Sequence, residues 1–255
     1  MVKPCDGSGS RGASRVDSIE KFPEACELAM NASITQRAEV ESFINGREYG
    51  AESRVANGEI YVLCIMRKWM TSPPYYAELG HSIPTDLSYE VEERARKCVK
   101  NAIKALGINF GSVNMDMLIT EQGNVHIIDV GARMGGNMIG PCIIPYGTGI
   151  DYMANMIRNA VGDSLDLQCD LHGAVVSRLL AFENGMVKQL PDFNRLEREY
   201  NVEIYHHMEI GQQINEYHTN LDGCGYIIAK ADTIAEAMDN ADKVLQIIKE
   251  VAFQQ

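Results

Sequence analysis

The sequence is short of several things. It has one tryptophan in 255 residues, few aromatics (7%), and no unbroken apolar run of the ~18 residues that a membrane-spanning helix needs. Positive charge is scarce. Against 35 acidic residues stand 23 basic ones, a formal net charge of -12, which argues against a broad nucleic-acid or membrane surface. A small basic cluster could still grip phosphates. No C-x-x-C pair occurs, and the 7 cysteines (Cys5, Cys26, Cys64, Cys98, Cys142, Cys169, Cys224) are odd in number and scattered. That pattern reads as free thiols in a reducing cytoplasm, neither a disulfide framework nor a zinc site. Met1-Val2-Lys3-Pro4 shows no charged-then-apolar leader, so no secretory signal is expected. Internal repeats and low-complexity tracts are missing too. What is present, 45% hydrophobic and 23% charged residues, suits a globular, mixed α/β protein of one or two domains.

The chain opens on Val2-Lys3-Pro4 and runs at once into Cys5-Asp6-Gly7-Ser8-Gly9-Ser10-Arg11-Gly12, so it reads as cut from something longer. A helix is expected over Ser18 to Ala32 with Ser18 as its cap, then strands over Glu39 to Ile44, Glu48 to Val55 and Ile60 to Arg67. Prolines make Thr71 to Tyr76 a loop. The clearest helix spans Tyr89 to Leu106, with an apolar face from Val91 through Val99 to Leu106 and a left-handed stop at Gly107. A second spans Asp151 to Val161 and stops at Gly162. After the polar stretch Ser164 to Asp170 come strands at Ala174 to Phe182, Val202 to His207 and Tyr226 to Lys230. A final helix carries a Thr233/Glu236 capping box and a stripe of Met238, Ala241, Val244, Leu245, Ile248 and Val251. Two units follow, 1–163 and 164–255.

The most informative stretch is Gly111 to Val130. Two β-rich runs flank Glu121-Gln122-Gly123-Asn124, a hairpin signal. A turn centred on Gln122-Gly123 pairs Thr120 with Val125, Leu118 with Ile127, and Asp116 with Asp129. Side-chain alternation then puts Val113, Met115, Met117 and Ile119 on one apolar face with Ile128 and Val130. Asn114, Asp116 and Asp129 share the other. Directly opposed carboxylates repel, and a cation resolves the conflict; two carboxylates with an amide nearby are hard oxygen donors of the kind magnesium takes together with substrate phosphates. The plain alternative is a solvated face where two aspartates meet. Beyond the strand, Gly131-Ala132-Arg133-Met134-Gly135-Gly136-Asn137 adds a loop that lets backbone approach a ligand and an arginine suited to carboxylate or phosphate. Together these suggest a phosphoryl-transfer site.

Gly7-x-Gly9-x-x-Gly12 formally matches a dinucleotide fingerprint, but no full strand precedes it and no helix opens on it. A glycine-serine loop between strands, with Lys3 just before it, reads instead as a flap whose backbone N–H groups cover phosphates. Taken alone it would be an ordinary connector.

Taken together these residues resemble the ATP-grasp superfamily, in particular its L-amino-acid ligase / carbamoyl-phosphate-synthetase-like branch. The resemblance implies an ATP-grasp fold of the α+β type, with two lobes of antiparallel sheet gripping the nucleotide and a small C-terminal α+β domain. It implies that Lys3 and the loop Gly7, Ser8, Gly9, Ser10 and Gly12 bind phosphates. It implies that Glu41 with the backbone of Ser42 and Ile44 meets adenine, and that Glu48 meets the ribose. Asp116 and Asp129 match the superfamily's magnesium-binding acids, and Arg133 stands where it places an arginine on the carboxylate being activated. Tyr76 to Pro84 resembles the branch's substrate loop, with Glu78 and His81 lining an amino-acid pocket that Gly136 and Asn137 border. The implied activity is ATP- and Mg2+-dependent ligation (Mn2+ being an alternative ion) of a small-molecule carboxylate and an amine through an acylphosphate. No nucleic acid or membrane partner is implied, and a homodimer is left open. Where the family usually reads Glu-x-Asn, this sequence reads Asp129-Val130-Gly131, leaving one or two ions open, with Asn114 or Asn137 as replacement donors. The family's N-terminal domain is missing, so the chain reads as a fragment.

Without the resemblance, His81 is an ordinary loop histidine and Glu41 and Glu48 are surface charges. Cys5 reads as packing, and His206-His207 as strand side chains. A carbamoyl-phosphate-synthetase-like or biotin-carboxylase-like enzyme is the nearest rival reading. A non-catalytic nucleotide-binding module is the rival from another class, and a Rossmann dehydrogenase a distant further one.

Overall fold

The computed structural model describes residues 1–6, 9–73, 76–169 and 173–253. It begins with a small unit in which β1 (Val2–Pro4) and β2 (Ala38–Val40) pair antiparallel, while α1 (Phe22–Ala32) covers them through Ala25 and Ala29 against Val2. A 3-10 turn, Ile19–Lys21, leads into α1, and Ser18 makes no capping bond there. The strand expected to Ile44 stops at Val40. Its partner β1 runs out at Met1, whose backbone bonds Glu41 in both directions, so the ladder has no further rung.

The body of the molecule is one antiparallel sheet. β3 (Arg47–Ala56), β4 (Glu59–Met70) and β5 (Glu78–Ile83) precede α2 (Tyr89–Ala105), then the hairpin β6 (Gly111–Ile119) and β7 (Val125–Gly131). A single π-helical turn, Ile139–Ile143, runs into α3 (Ile144–Thr148) and is followed by α4 (Tyr152–Val161). Then come β8 (Ala174–Leu179), β9 (Gly185–Met186), α5 (Phe193–Tyr200), β10 (Val202–His206), β11 (Gln213–Ile214), β12 (Gly225–Ala231) and α6 (Ile234–Phe253). Across the sheet the order is β10-β12-β8-β5-β4-β3-β6-β7, and β9 pairs with β11 apart from it. The expected units 1–163 and 164–255 meet inside this sheet, because β8 pairs with β5.

Two helices cover one face. α2, capped where Ser88 accepts from Val91 N, buries Ala95, Val99 and Ile103 on Tyr49, Ile65, Met115 and Met117. α6 buries Ala237, Ala241, Val244, Ile248 and Ala252 on Val176 and Ile227, a stripe turned slightly from the expected one so that Met238 and Leu245 sit at its rim. Thr233 Oγ1 accepts from Glu236 N at its start. On the opposite face the π-turn, α3 and α4 pack Ile139, Ile143, Ile144 and Tyr152 on Met66, Ile83 and Val175. They cover only the middle of that face, and the part formed by β3, β6 and β7 is left to polar residues.

β5 departs from the loop expected around it. Its residues alternate poorly because both faces are covered, and a bulge at Leu79 interrupts the pairing, with Trp69 opposite Gly80 and Met70 opposite Glu78. Gly80 has φ +149°, and a Cβ there would lie 1.9 Å from the carbonyl oxygen of Ser177 on β8. Gly80→Ala is therefore expected to lower the free energy of unfolding by about 2 kcal/mol or more, read from urea titration. An unchanged midpoint would contradict the close approach of β5 to β8.

Candidate functional site

The polar face is set by strand register. β3 places Glu48 opposite Leu118, Gly50 opposite Asp116 and Glu52 opposite Asn114. Period-two alternation turns Glu48, Gly50, Glu52, Asn114 and Asp116 away from α2, whose partners are the intervening Tyr49, Ala51, Val113, Met115 and Met117. Gly50 keeps the floor open; a Cβ there would sit 3.9 Å from both Asp116 Oδ1 and Lys68 Cδ.

The hairpin brings Asp116 opposite Asp129, as expected, but by a different route. Gly123 N donates to Thr120 O, so the turn centres on Glu121-Gln122. Ile119 therefore pairs with Val125, and Leu118 with His126 rather than with Ile127. A bulge between Asp116 and Met117 then absorbs Ile128 and restores the Asp116–Asp129 pair. Ile128 consequently leaves the apolar face it was expected to share. Val125 and Val130 pack there instead.

Lys68 on β4 holds this face together, and the sequence reading passed it over. Its side chain is 6% exposed, with Nζ 2.8 Å from Asp116 Oδ2, 3.3 Å from Glu78 Oε2 and 3.8 Å from Glu48 Oε2. Burial pulls its pKa down, but the charges of Asp116, Glu78 and Glu48 outweigh that and hold it above the usual lysine range. Burial raises Glu48, against the opposing charge of Lys68. The signal that could have found Lys68 was a cation inside the strand run Leu63 to Met70, where a buried ammonium needs anions.

The Leu79 bulge puts Glu78 and His81 on the same side, although three residues apart. His81 Nδ1 lies 3.3 Å from Glu78 Oε1 without hydrogen-bond alignment. Burial lowers the imidazole pKa, so the ring stands neutral. Glu78 Oε1 accepts from Asn137 Nδ2, while Tyr226 OH donates to Asn137 Oδ1 at 2.9 Å. Tyr217 OH donates to the Glu78 carbonyl. β12 and the segment before it thus help to build this pocket. Gly136 is exposed at its edge.

From the small N-terminal unit, Lys3 Nζ reaches the Ile128 carbonyl of the bulge at 3.2 Å, next to Asp129, and pairs with Glu41 Oε2 at 2.9 Å. Glu41 is thus tied to Lys3, and its backbone to Met1. Ser42 is exposed and Ile44 half-buried in the irregular segment that follows. Gly7 and Ser8 of the flap lie outside the described residues. Gly9, Ser10 and Gly12 have φ near +60° to +72°, and Ser10 Oγ donates to the Tyr76 carbonyl at 3.2 Å.

Arg133 is exposed, and its Nη1 donates to Asn114 Oδ1 at 3.0 Å and to the Met134 carbonyl at 3.2 Å. Glu52, also passed over, is fully buried and accepts from Tyr152 OH (2.7 Å), Asn114 Nδ2 (3.1 Å) and Gly135 N (3.2 Å to Oε2). Burial raises its carboxyl to about 7 despite these bonds. His206 stacks on Phe193 with 4.0 Å between ring centroids, as a strand side chain.

The donors suit a small divalent cation. Asp129 is exposed and makes no hydrogen bond or ion pair among the described residues, and Asp116 Oδ1 faces the open floor at Gly50. No third His, Cys, Asp or Glu joins them among the described residues, so two carboxylates and a ligand's own oxygens would complete the shell. The amide oxygens of Asn114 and Asn137 each already take a donor.

Two outcomes follow from the charges. Lys68→Met leaves three buried or half-buried carboxylates facing one another and is expected to lose about 3–5 kcal/mol, whereas Lys68→Arg, which keeps the charge, loses less. Equal losses from the two variants, read by urea unfolding, would contradict a charge role. Glu52 has a folded pKa raised above its unfolded value of 4.5 to about 7, so the native state binds the extra proton in between. Its stabilising effect is therefore full below pH 4.5 and gone above pH 7, a fall of about 3 kcal/mol with rising pH. The difference in unfolding free energy between wild type and Glu52→Gln should track that window; a flat difference would contradict it.

Comparison with known proteins identifies the family and the fold. The ATP-grasp domain family matches residues 1–141, and the family "L-amino acid ligase C-terminal domain 2" matches residues 178–251. Protein y4rH of Sinorhizobium fredii is 26% identical over 254 residues, covering 96% of this chain and 51% of its own. A D-alanine–D-alanine ligase of Geobacter sulfurreducens is 32% identical over 138 residues, covering 53% of this chain and 43% of its own. The chain spans about half the length of these curated relatives. Among solved structures, the L-amino acid ligase from Bacillus licheniformis superposes with a TM-score of 0.83 at 23% identity, over 97% of this chain and 61% of that one. With over half its length matched by that one family, the chain belongs to the ATP-grasp family.

Proposed function

We propose that this chain carries the nucleotide site and the carboxylate-activating site of an ATP-dependent ligase that joins a small carboxylate, an amino acid by the likeness of its C-terminal part, to an amine. The observation that carries the reading is the juxtaposition of opposed Asp116 and Asp129 with two lysines: Lys68 under Asp116, and Lys3 beside Asp129 from the small unit above. Such a place neutralises phosphate oxygens and positions them, which is most of what phosphoryl transfer asks of a protein.

In this reading the substrate carboxylate attacks the γ-phosphorus of ATP, forming an acylphosphate and releasing ADP. The amine then attacks the acyl carbon and phosphate leaves. Asp116 and Asp129 would hold magnesium, or manganese, which supplies charge neutralisation at the phosphates. Lys3 and the glycine loop of Gly7, Ser8, Gly9, Ser10 and Gly12 are the phosphate-binding residues in this reading. Glu41, with the backbone of Ser42 and Ile44, lies at the adenine edge, and Glu48 takes the ribose hydroxyls. Arg133, exposed at the end of β7 with N–H groups to spare, steadies the carboxylate under attack. Glu78, neutral His81, Gly136 and Asn137 form the wall toward the amino-acid substrate. The hydrogen bonds of Asn137 with Glu78 and Tyr226 make that wall polar.

Calorimetric titration with ATP, with and without magnesium, tests this. Magnesium-dependent binding is expected, lost by about tenfold or more in Asp116→Asn/Asp129→Asn. Binding that ignores both magnesium and the double substitution would make the chain a nucleotide module without transfer chemistry and overturn the reading.

A further inference from the structure

Glu52 has no place in that scheme, yet it is the most deeply buried carboxylate of the polar face. Among the described residues no cation pairs with it. Its partners are three neutral donors: the Tyr152 hydroxyl from α4, the Asn114 amide from β6 and the Gly135 N–H from the loop after β7. A carboxylate removed from water this completely is strongly disfavoured unless every oxygen lone pair meets a donor. Here the donors come from three separate elements, so satisfying Glu52 ties those elements together.

The Asn114 amide is the informative link. An ionised carboxylate can only accept, so the amide must turn its NH2 toward Glu52 and its carbonyl oxygen outward. That outward oxygen accepts from Arg133 Nη1 at 3.0 Å. Apart from this bond, among the described residues Arg133 holds only the carbonyl of its own neighbour Met134, and it stands exposed. The aim of the guanidinium therefore depends on which way the Asn114 amide points, and Glu52 decides that. Gly135 is held by the same carboxylate; a Cβ there would lie 2.9 Å from Asn114 Nδ2 and 3.0 Å from Glu52 Oε2, so the loop backbone is pressed against the pair. On the far side, the Tyr152 hydroxyl from α4 holds the other oxygen of Glu52 at 2.7 Å. Glu52 thus sits at the inner end of a polar chain that runs out through Asn114 to the Arg133 guanidinium, and its need for donors sets the direction of each hydrogen in it.

Resting on the ligase reading above, we propose that Glu52 is the positioning residue for Arg133: through the Asn114 amide and the Gly135 N–H it presets the guanidinium and the glycine loop for the substrate carboxylate. Glu52→Gln puts an NH2 group among donors, so the Asn114 amide must turn over and offer N–H to Arg133. Glu52→Gln/Asn114→Asp restores an acceptor that can take both the new side-chain amide on β3 and Arg133.

The test uses the full chain at pH 8. Side-chain Nε–Hε relaxation of Arg133 is measured by NMR in wild type, Glu52→Gln and the double variant, with no substrate present. Separately, phosphate release from ATP is measured against the common amino acids as the carboxylate. Arg133 is expected to gain mobility in Glu52→Gln and lose it again in the double variant. The carboxylate KM is expected to rise about tenfold with the KM for ATP unchanged. That rise should vanish in an Arg133→Ala background, since the two act as one unit. Should Glu52→Gln fail to fold, Asn114→Ala removes the relay alone and must reproduce both effects. Unchanged Arg133 mobility, or effects of Glu52→Gln and Arg133→Ala that simply add, would overturn the proposal. Absence of phosphate release from wild type would count against the ligase reading only, and the relaxation data would still decide the role of Glu52.

Discussion

Carboxylates crowd one face of the central sheet, and their mutual repulsion is the constraint around which the rest is arranged. Glu48, Glu78 and Asp116 all lie within 3.8 Å of the one ammonium of Lys68. In a half-buried setting, charges this close interact at an effective dielectric well below that of water, so an unbalanced set would cost several kcal/mol of stability. Lys68 ties four strands together at once: its own β4, β5 through Glu78, β3 through Glu48 and β6 through Asp116. Asp129 is left outside that arrangement, without a partner among the described residues. The surplus of negative charge is the feature a cation and a polyphosphate with its own counterions would complete.

The apolar layers explain why this face is free to be polar. α2 and α6 bury the whole opposite side of the sheet, while the π-turn, α3 and α4 cover only its centre on this side. The stability of the sheet thus rests on the other face, and the end near β3, β6 and β7 carries charge instead of core. The small unit of β1, β2 and α1 reaches over that end through Lys3. The C-terminal strands extend the same sheet, and Tyr217 and Tyr226 reach back to Glu78 and Asn137. Glu48, Asp116 and Asp129 at one end and Glu78 and His81 further along therefore stand on the same eight-stranded sheet.

Much of this was legible in the sequence, for reasons that differ by element. α2 and α4 carry their caps and left-handed stops as local signals, and both end where those signals say. The Asp116–Asp129 pairing was legible only in part. The turn lies one residue from the expected place, and a bulge at Ile128, which no local pattern announces, shifts the register back. Glu78 and His81 were recognisable as a pair, but the strand beneath them was not, because a residue string buried on both faces and bulged at Leu79 has no period of two. The segment 139–148 hid its helical character behind Pro141, Pro145, Gly140 and Gly147. Lys68 and Glu52 were illegible for a deeper reason. Each matters through partners brought from distant strands, and a charged residue in a strand gives no sign of whether it points to water or into a network.

The claim that the opposed aspartates form a cation site is tested most directly by crystals grown with manganese and ADP, using the anomalous scattering of the ion. The account predicts one peak between Asp116 and Asp129, about 2.1 Å from an oxygen of each, with Lys68 still bonded to Asp116. An ion bound elsewhere, with Asp129 left turned to solvent, would contradict it.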